Sequence, residues 1–434
     1  MDIILDRNIL NDDITFDNAN IINNAIEAVS KDGGKVIIRD GVFYATTIKL
    51  LSNVCLSIDP SARLTLFRDI NKFNKLDLNR EDSIKRPTWE NCEYNGMPSQ
   101  YFIYAKDGEN ISIEGSGFID GSEDIFYGTI TKYHIEGSYY PRIPLVYFEN
   151  IRNVSIKDIN LRKSAFWTLH LVGCDTVNID NINIDNNLKL TNCDGIDPDH
   201  SKNVRITNSR ISCADDCIVL KTSEAFVKYG DCQNIYVENV DMTSTSAAIK
   251  IGTESCSDFS NIHFKNIRIN NSNRGISLML RDNGNIRDCV FEDIKMSLRL
   301  FSKIHWWGSD EGIAVTAIPR KDNVGNISNV VFKNIDINSE NGLLVYGINN
   351  ISNITFDKVS LVTNKKTDYP KEKLDLRPSK LDILDSKFHM LTLSGASNVR
   401  FINTTLINNT DYIDNTLKIE KCLNLDLSGL YVKC

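Results

Sequence analysis

The sequence predicts an all-β chain folded as a parallel β-helix, a stacked solenoid with a helix capping its N-terminal end. Two observations carry this prediction. One phrase recurs along the 434 residues: Asn, an apolar residue, any residue, an apolar residue, two polar residues, then a second alternating apolar pair. Within each copy the apolar residues, rich in Ile and Val, alternate with period two, which is the period of a strand and not of a helix.

The first element is the exception. Ile21, Ile22, Ala25, Ile26 and Val29 follow helical spacing, so a helix is expected over about residues 18–30, capped at Asp17 or Asn18 and ended by Asp32-Gly33-Gly34. A solenoid needs its open core covered at the end, and this helix fits that task within a cap region of residues 1–50. The strand phrase is already visible at Asn110. It is clearest at Asn153 (Asn-Val-Ser-Ile-Lys-Asp-Ile-Asn-Leu), Asn203, Asn234 and Asn261. Thr176, Asp288, Asn329, Asn353, Asn398 and Asn424 open further copies, at spacings of about 23 to 31 residues with longer gaps after 288 and 353. Leucine-rich repeats share the period but need a Leu framework that this chain lacks. The opening Asn residues are expected to turn the chain in left-handed geometry.

The long gaps read as loops inserted on a coil. One carries Ile304-His305-Trp306-Trp307-Gly308; the other, around Lys365 to Leu376, is rich in Lys, Asp and Pro and reads as a solvated loop. A third, Phe73 to Gln100, precedes the clear repeats. No linker is visible, so a single domain over 1–434 is expected. The net charge of −8 argues against non-specific nucleic-acid binding, and no apolar run is long enough for a transmembrane helix. Eleven cysteines lie scattered without CxxC pairs, which argues against a zinc site or a disulfide framework. No signal segment is visible at Met1, so a cytoplasmic location is expected.

A solenoid allows its coils to be aligned on one another. Between phrases lies a second motif: a variable residue, a small one, then Ile or Leu. It occurs at Trp167, Asp194, Asp216, Ala247, Arg274 and Glu311. These residues should stack in one column, and a column that is aromatic, acidic and basic in turn has the character of a working face. Asp194 and Asp216 would lie on adjacent coils about 5 Å apart at the backbone, with Asp215 adding a third carboxylate. Crowded carboxylates repel, so one should stay protonated near neutral pH, the condition for pairing a general acid with a general base. A calcium site or the capping of coil turns are the alternatives. Further along the strand a second column holds His170, Asp197, Lys250 and Ser277. Lys250 could bind an anion or hold a carboxylate ionised, and Asp197 reads as a supporting residue. His170 reads equally as a packed histidine or a ligand. Asp199-His200 reads as a turn or a functional pair.

At these residues the chain resembles glycoside hydrolase family twenty-eight, the polygalacturonase-like enzymes. Asn192-Cys193-Asp194-Gly195 is similar to that family's Asn-Thr-Asp-Gly segment, and Ala214-Asp215-Asp216-Cys217 to its Asp-Asp pair. The segments Gly41 to Leu50, Ser112 to Gly121 and Ser164 to His170 extend the likeness. The resemblance implies a right-handed, pectin-lyase-like β-helix and an inverting hydrolase acting on pectin-type glycans. In it Asp215 is the general acid, Asp194 and Asp216 hold and deprotonate the water, and Asn192 orients these groups. Two departures stand out. Ser246-Ala247-Ala248 replaces Gly-His-Gly, and Ser277-Leu278-Met279 replaces the Arg-x-Lys that binds the substrate carboxylate. Lys250, Arg274, Arg281 or Arg320 could substitute, with Arg274 preferred because it shares the column of the acids. Trp307 on its loop could stack on a sugar, as could Trp167.

The rival readings are a polysaccharide lyase on the same fold and a non-catalytic carbohydrate-binding β-helix. The expected partner is a carbohydrate, with no nucleic acid, membrane, cofactor or metal required.

Overall fold

The computed structural model describes residues 1–74, 98–136, 142–302, 308–414 and 417–433. The chain divides into two compact units, Met1–Ala214 and Asp215–Cys434. Both are parallel β-helix, as the period-two pattern predicts, and right-handed, as the resemblance implies.

In the first unit the helix Ala19–Ser30 buries Ile22, Ala25, Ile26 and Val29 and packs on the strands Gly34–Ile38 and Ile48–Lys49. Of the two expected caps, Asp17 is the one that serves. Asp17 Oδ1 accepts from the Ala19 N–H at 3.0 Å, while the Asn18 side chain is turned away to the Asn11 and Tyr44 carbonyls. Gly33, at φ 77°, ends the helix by donating its N–H to the Val29 carbonyl. The strands Ile103–Glu114, Val146–Lys157, Asp175–Asp180 and Lys202–Cys213 then lie parallel in register. That register stacks Ile113, Ile156, Ile179 and Ile206 into one inward row.

The second unit repeats the device with Cys232–Ser244, Phe259–Ser272, Ile286–Leu298, Ile327–Ser339, Leu343–Thr363 and Leu391–Ile402. Its inward row includes Phe264, Phe291, Phe332, Phe356 and Phe401, whose rings stack at centroid distances of 5.5, 5.3, 5.2 and 4.8 Å. Each buried ring adds about 1.5–3 kcal/mol of transfer free energy. Each stacked pair adds roughly 0.5–1.5 kcal/mol more.

The phrase-opening residues have positive φ throughout: 55° at Asn110, 63° at Asn153, 61° at Thr176, 54° at Asn203 and 58° at Asn234. Asn tolerates this geometry at little cost. Its amide does a second job, donating to the amide of the coil before: Asn153 to Asn110 at 2.7 Å, Asn261 to Asn234 at 2.8 Å and Asn353 to Asn329 at 3.1 Å. The recurrent Asn is thus both the turn and a rung of a polar ladder.

One expectation about the loops is corrected. Residues 365–376 are only partly solvated. Lys373–Asp375 pairs antiparallel with Ile383–Asp385, and Leu374, Asp375 and Leu376 are buried. The charges in this segment find internal partners. Glu340 accepts from the Lys366 and Thr367 N–H groups and the Thr367 hydroxyl, and Lys371 Nζ lies 3.3 Å from it. Most of Phe73 to Gln100, and the loop of Trp307, lie outside the described residues.

Candidate active site

In the first unit, Leu169 pairs with Ile196, which sets Trp167 opposite Asp194 as the column predicts, and His170 opposite Asp197. Asp194 is 2% exposed. It sits on a turn built by Asn192, at φ 57°, whose side-chain oxygen accepts from Arg142 Nη2 at 2.8 Å. Arg142 also donates to the carbonyls of Ala165 and Thr191 and lies over the Phe166 ring. This buried guanidinium therefore ties the turn carrying Asp194 to the coil below it. Sequence reasoning missed Arg142, because it lies outside the repeat phrase and no periodicity points to it.

His170 is buried, edge-on to Trp167 and Tyr147 at 4.7 and 5.3 Å, with Nε2 3.2 Å from Asp199 Oδ2. His200 Nε2 lies 3.8 Å from the other Asp199 oxygen. His170 is therefore a packed histidine with a carboxylate partner. Asp199 and His200, both buried, form a polar cluster with it and are more than a bare turn. Asp197 is wholly buried.

In the second unit, the strands Ile218–Thr222, Ala247–Ser255, Arg274–Leu280 and Ile313–Ala317 stack in parallel. Ile218 pairs with Ile249, Ala247 with Arg274 and Ile276 with Ile313, so Asp216, Ala247, Arg274 and Glu311 form the predicted column. Lys250 lies opposite Ser277 in the second column. Asp215 and Asp216 are consecutive but differently housed. The Asp215 main-chain carbonyl accepts from Ser244 Oγ at 2.6 Å, and the residue is 7% exposed. Asp216 is 1% exposed, and its Oδ1 accepts from Ser246 Oγ at 3.0 Å and the Ala247 N–H at 3.3 Å, while Lys250 Nζ lies 2.7 Å from Oδ2. Asp216 thus accepts from three donors, one of them a cation, and charge-assisted contacts of this kind are the strong ones.

Further charges surround this pair. Lys221 lies 3.5 Å from Glu254, and Arg320 pairs with Asp282 and donates to the Thr253 carbonyl. Burial opposes ionisation of Glu254, yet Lys221, Arg320 and Lys250 together bring its carboxyl down to about 2. Burial likewise works against the Lys250 ammonium, but Asp216, with help from Asp215 and Glu254, raises its pKa nonetheless. Lys221 could have been found from the sequence, since it stands two residues beyond Val219, which pairs with Lys250.

Two expected substrate-binding residues are corrected. Arg274 is buried and its guanidinium is already engaged: Nε and Nη2 on Glu311 at 2.7 and 3.3 Å, Nη2 on the Asp375 carbonyl, Nη1 against Met279. Arg281 is wholly enclosed, donating to the carbonyls of Leu280, Thr316 and Leu376 and to Thr316 Oγ1. Burial, then the charges of Arg274 and Arg320, lower its pKa to about 9. Both arginines latch the segment around Asp375 and Leu376 onto the coils. Ser277 and Met279, which replace the family's basic pair, are buried too. Trp307 lies outside the described residues.

Comparison with known proteins follows the same line. Residues 86–369 match the family model of glycosyl hydrolases family 28. A probable exopolygalacturonase B of Aspergillus terreus is 25% identical over 287 residues, covering 57% of this chain and 62% of that protein. The chain thus spans about three fifths of the length of the curated relatives it matches first. Among solved structures, the family 28 exopolygalacturonase of Yersinia enterocolitica superposes with a TM-score of 0.74 at 16% identity, over 98% of this chain and 78% of that one. The hyperthermoactive exopolygalacturonase of Thermotoga maritima gives 0.64 at 18% identity, over 99% and 91%. At such identities the structures attest the fold, and the family rests on the sequence match. With the match extending over well more than half its length and including the Asn192-Cys193-Asp194-Gly195 and Asp215-Asp216 segments, the chain belongs to glycosyl hydrolases family 28.

Proposed function

We propose that the protein is a glycoside hydrolase that cleaves pectin-type glycans with inversion of configuration. The observation that carries this reading is the contrast between two neighbouring carboxylates. Asp216 accepts from three donors, while Asp215, adjacent in the chain, is the more exposed of the two. A carboxylate held by three donors is placed to take a proton from water, and the resemblance of the Asp215-Asp216 segment to the family's acid pair gives Asp215 the donating role. In this reading Asp215 protonates the leaving glycosidic oxygen. Asp216 holds a water and takes its proton as the water attacks the opposite face of the sugar. Asp194, on the turn that Asn192 and Arg142 brace, carries the acid of the segment similar to the family's Asn-Thr-Asp-Gly. The family membership supports the reaction class, and the exopolygalacturonase relatives support a pectic substrate.

The test is incubation with pectic oligosaccharides and other acidic and neutral glycans in the presence of a chelator, with products followed by mass and by the anomer first formed. Gain of one water per cleavage with an inverted anomer is expected. Unsaturated products lacking that water would mean a lyase and overturn the assignment.

A further inference from the structure

We propose that Lys250 is a positioning residue that acts through Asp216, holding it as a carboxylate oriented to accept a proton from water, and is not a grip for an anionic sugar. The inference rests on the hydrolase reading above and deepens it. Lys250 reaches Asp216 from the next coil, with 2.7 Å between Nζ and Oδ2. The Lys250 side chain is 16% exposed and that of Asp216 is 1%. The other carboxylate oxygen is taken by Ser246 Oγ and the Ala247 N–H, so the ammonium fixes the plane of the group as well as its charge.

The surrounding charges point the same way. Asp215, Lys221 and Glu254 face Lys250, and Arg274 acts on Asp216 from the coil beyond. Lys221 is paired with Glu254, and Arg274 is engaged by Glu311. Lys250 is therefore the cation of this unit, among the described residues, that is shown in hydrogen-bond contact with Asp216. At position 247 the alanine contributes only its N–H, so the compensating charge comes from Lys250, three residues on. An ammonium drawn away to a substrate anion would leave a buried carboxylate without its counter-charge, which is strongly unfavourable.

The experiment compares wild type with Lys250→Met and Lys250→Arg, using the most rapidly cleaved glycan. Lys250→Met is expected to lower kcat at least 100-fold with KM changed less than threefold. The acidic limb of kcat/KM should move up by about one pH unit or more. Lys250→Arg should restore most of the rate and the limb. A rise in KM confined to uronide substrates, with the limb unmoved, would overturn the proposal in favour of substrate binding. Alongside, the thermal stabilities of Lys250→Met, Asp216→Asn and the double variant are measured. The double variant is expected to be less damaged than Lys250→Met alone, because no charge is stranded. Strict additivity would also overturn the proposal. This cycle reads the pair without turnover. A wild type that cleaves no glycan therefore counts against the hydrolase reading, and the cycle still decides the pairing.

Discussion

Arg274 and Glu311 stand one coil apart in the same column and close a two-pronged ion pair in a dry setting, Nε to Oε2 at 2.7 Å and Nη2 to Oε1 at 3.3 Å. The charge that the sequence offers as a substrate ligand is consumed inside the protein. Glu311→Gln should therefore destabilise by roughly 3–5 kcal/mol, since it leaves a buried guanidinium without its counter-charge. The double change Arg274→Met with Glu311→Leu should cost less than either single change. Urea unfolding of Glu311→Gln, of Arg274→Met and Glu311→Leu singly, and of the double variant measures this. A loss below about 1 kcal/mol in Glu311→Gln would contradict the burial of the pair.

Asp215 is assigned the proton that the leaving oxygen needs. Asp215→Asn should lower kcat by roughly 10²–10⁴ with an unchanged circular dichroism spectrum and melting temperature. Near-normal turnover by a folded variant would remove Asp215 from the mechanism.

Arg142 braces the turn of Asn192 and so the placement of Asp194. Arg142→Met keeps the stem and removes the donors. A displacement of about 1 Å at a reacting group costs on the order of 100-fold, so kcat should fall by about 10- to 100-fold with a smaller change in KM. Steady-state kinetics on the responsive glycan tests this, and an unaltered kcat would show that the turn holds without its brace.

Glu254 provides a pH test. Its carboxyl is depressed to about 2 in the folded protein against 4.5 as its ordinary value. A group with a lowered folded pKa contributes stability that is present above its unfolded value and is lost as pH falls toward the folded one. Glu254→Gln should therefore be less stable than wild type by on the order of 3 kcal/mol at pH 7. That difference should shrink as pH drops from about 5 to about 2. Denaturant unfolding at a series of pH values measures it, and a difference that grows on acidification would contradict the assignment.

Much of this molecule is legible from its residues alone. Apolar alternation, the Asn that opens each phrase and the helical spacing near Ile22 and Ile26 determine a capped parallel β-helix. Each is a local preference, and the solenoid adds only the stacking of like on like. The columns follow for the same reason: a coil that repeats in sequence repeats in space, so Asp216, Ala247, Arg274 and Glu311 could be aligned before any coordinates. What the tertiary structure decided is which charge meets which. Arg274 finds Glu311 37 residues away and the carbonyl of Asp375 101 residues away, on an inserted segment whose place no repeat encodes. Arg142 reaches Asn192 across 50 residues from outside the repeat phrase. A buried ion needs its partner within a few ångströms, and that distance is set by how insertions fold back on the coils, not by the period of the coils themselves.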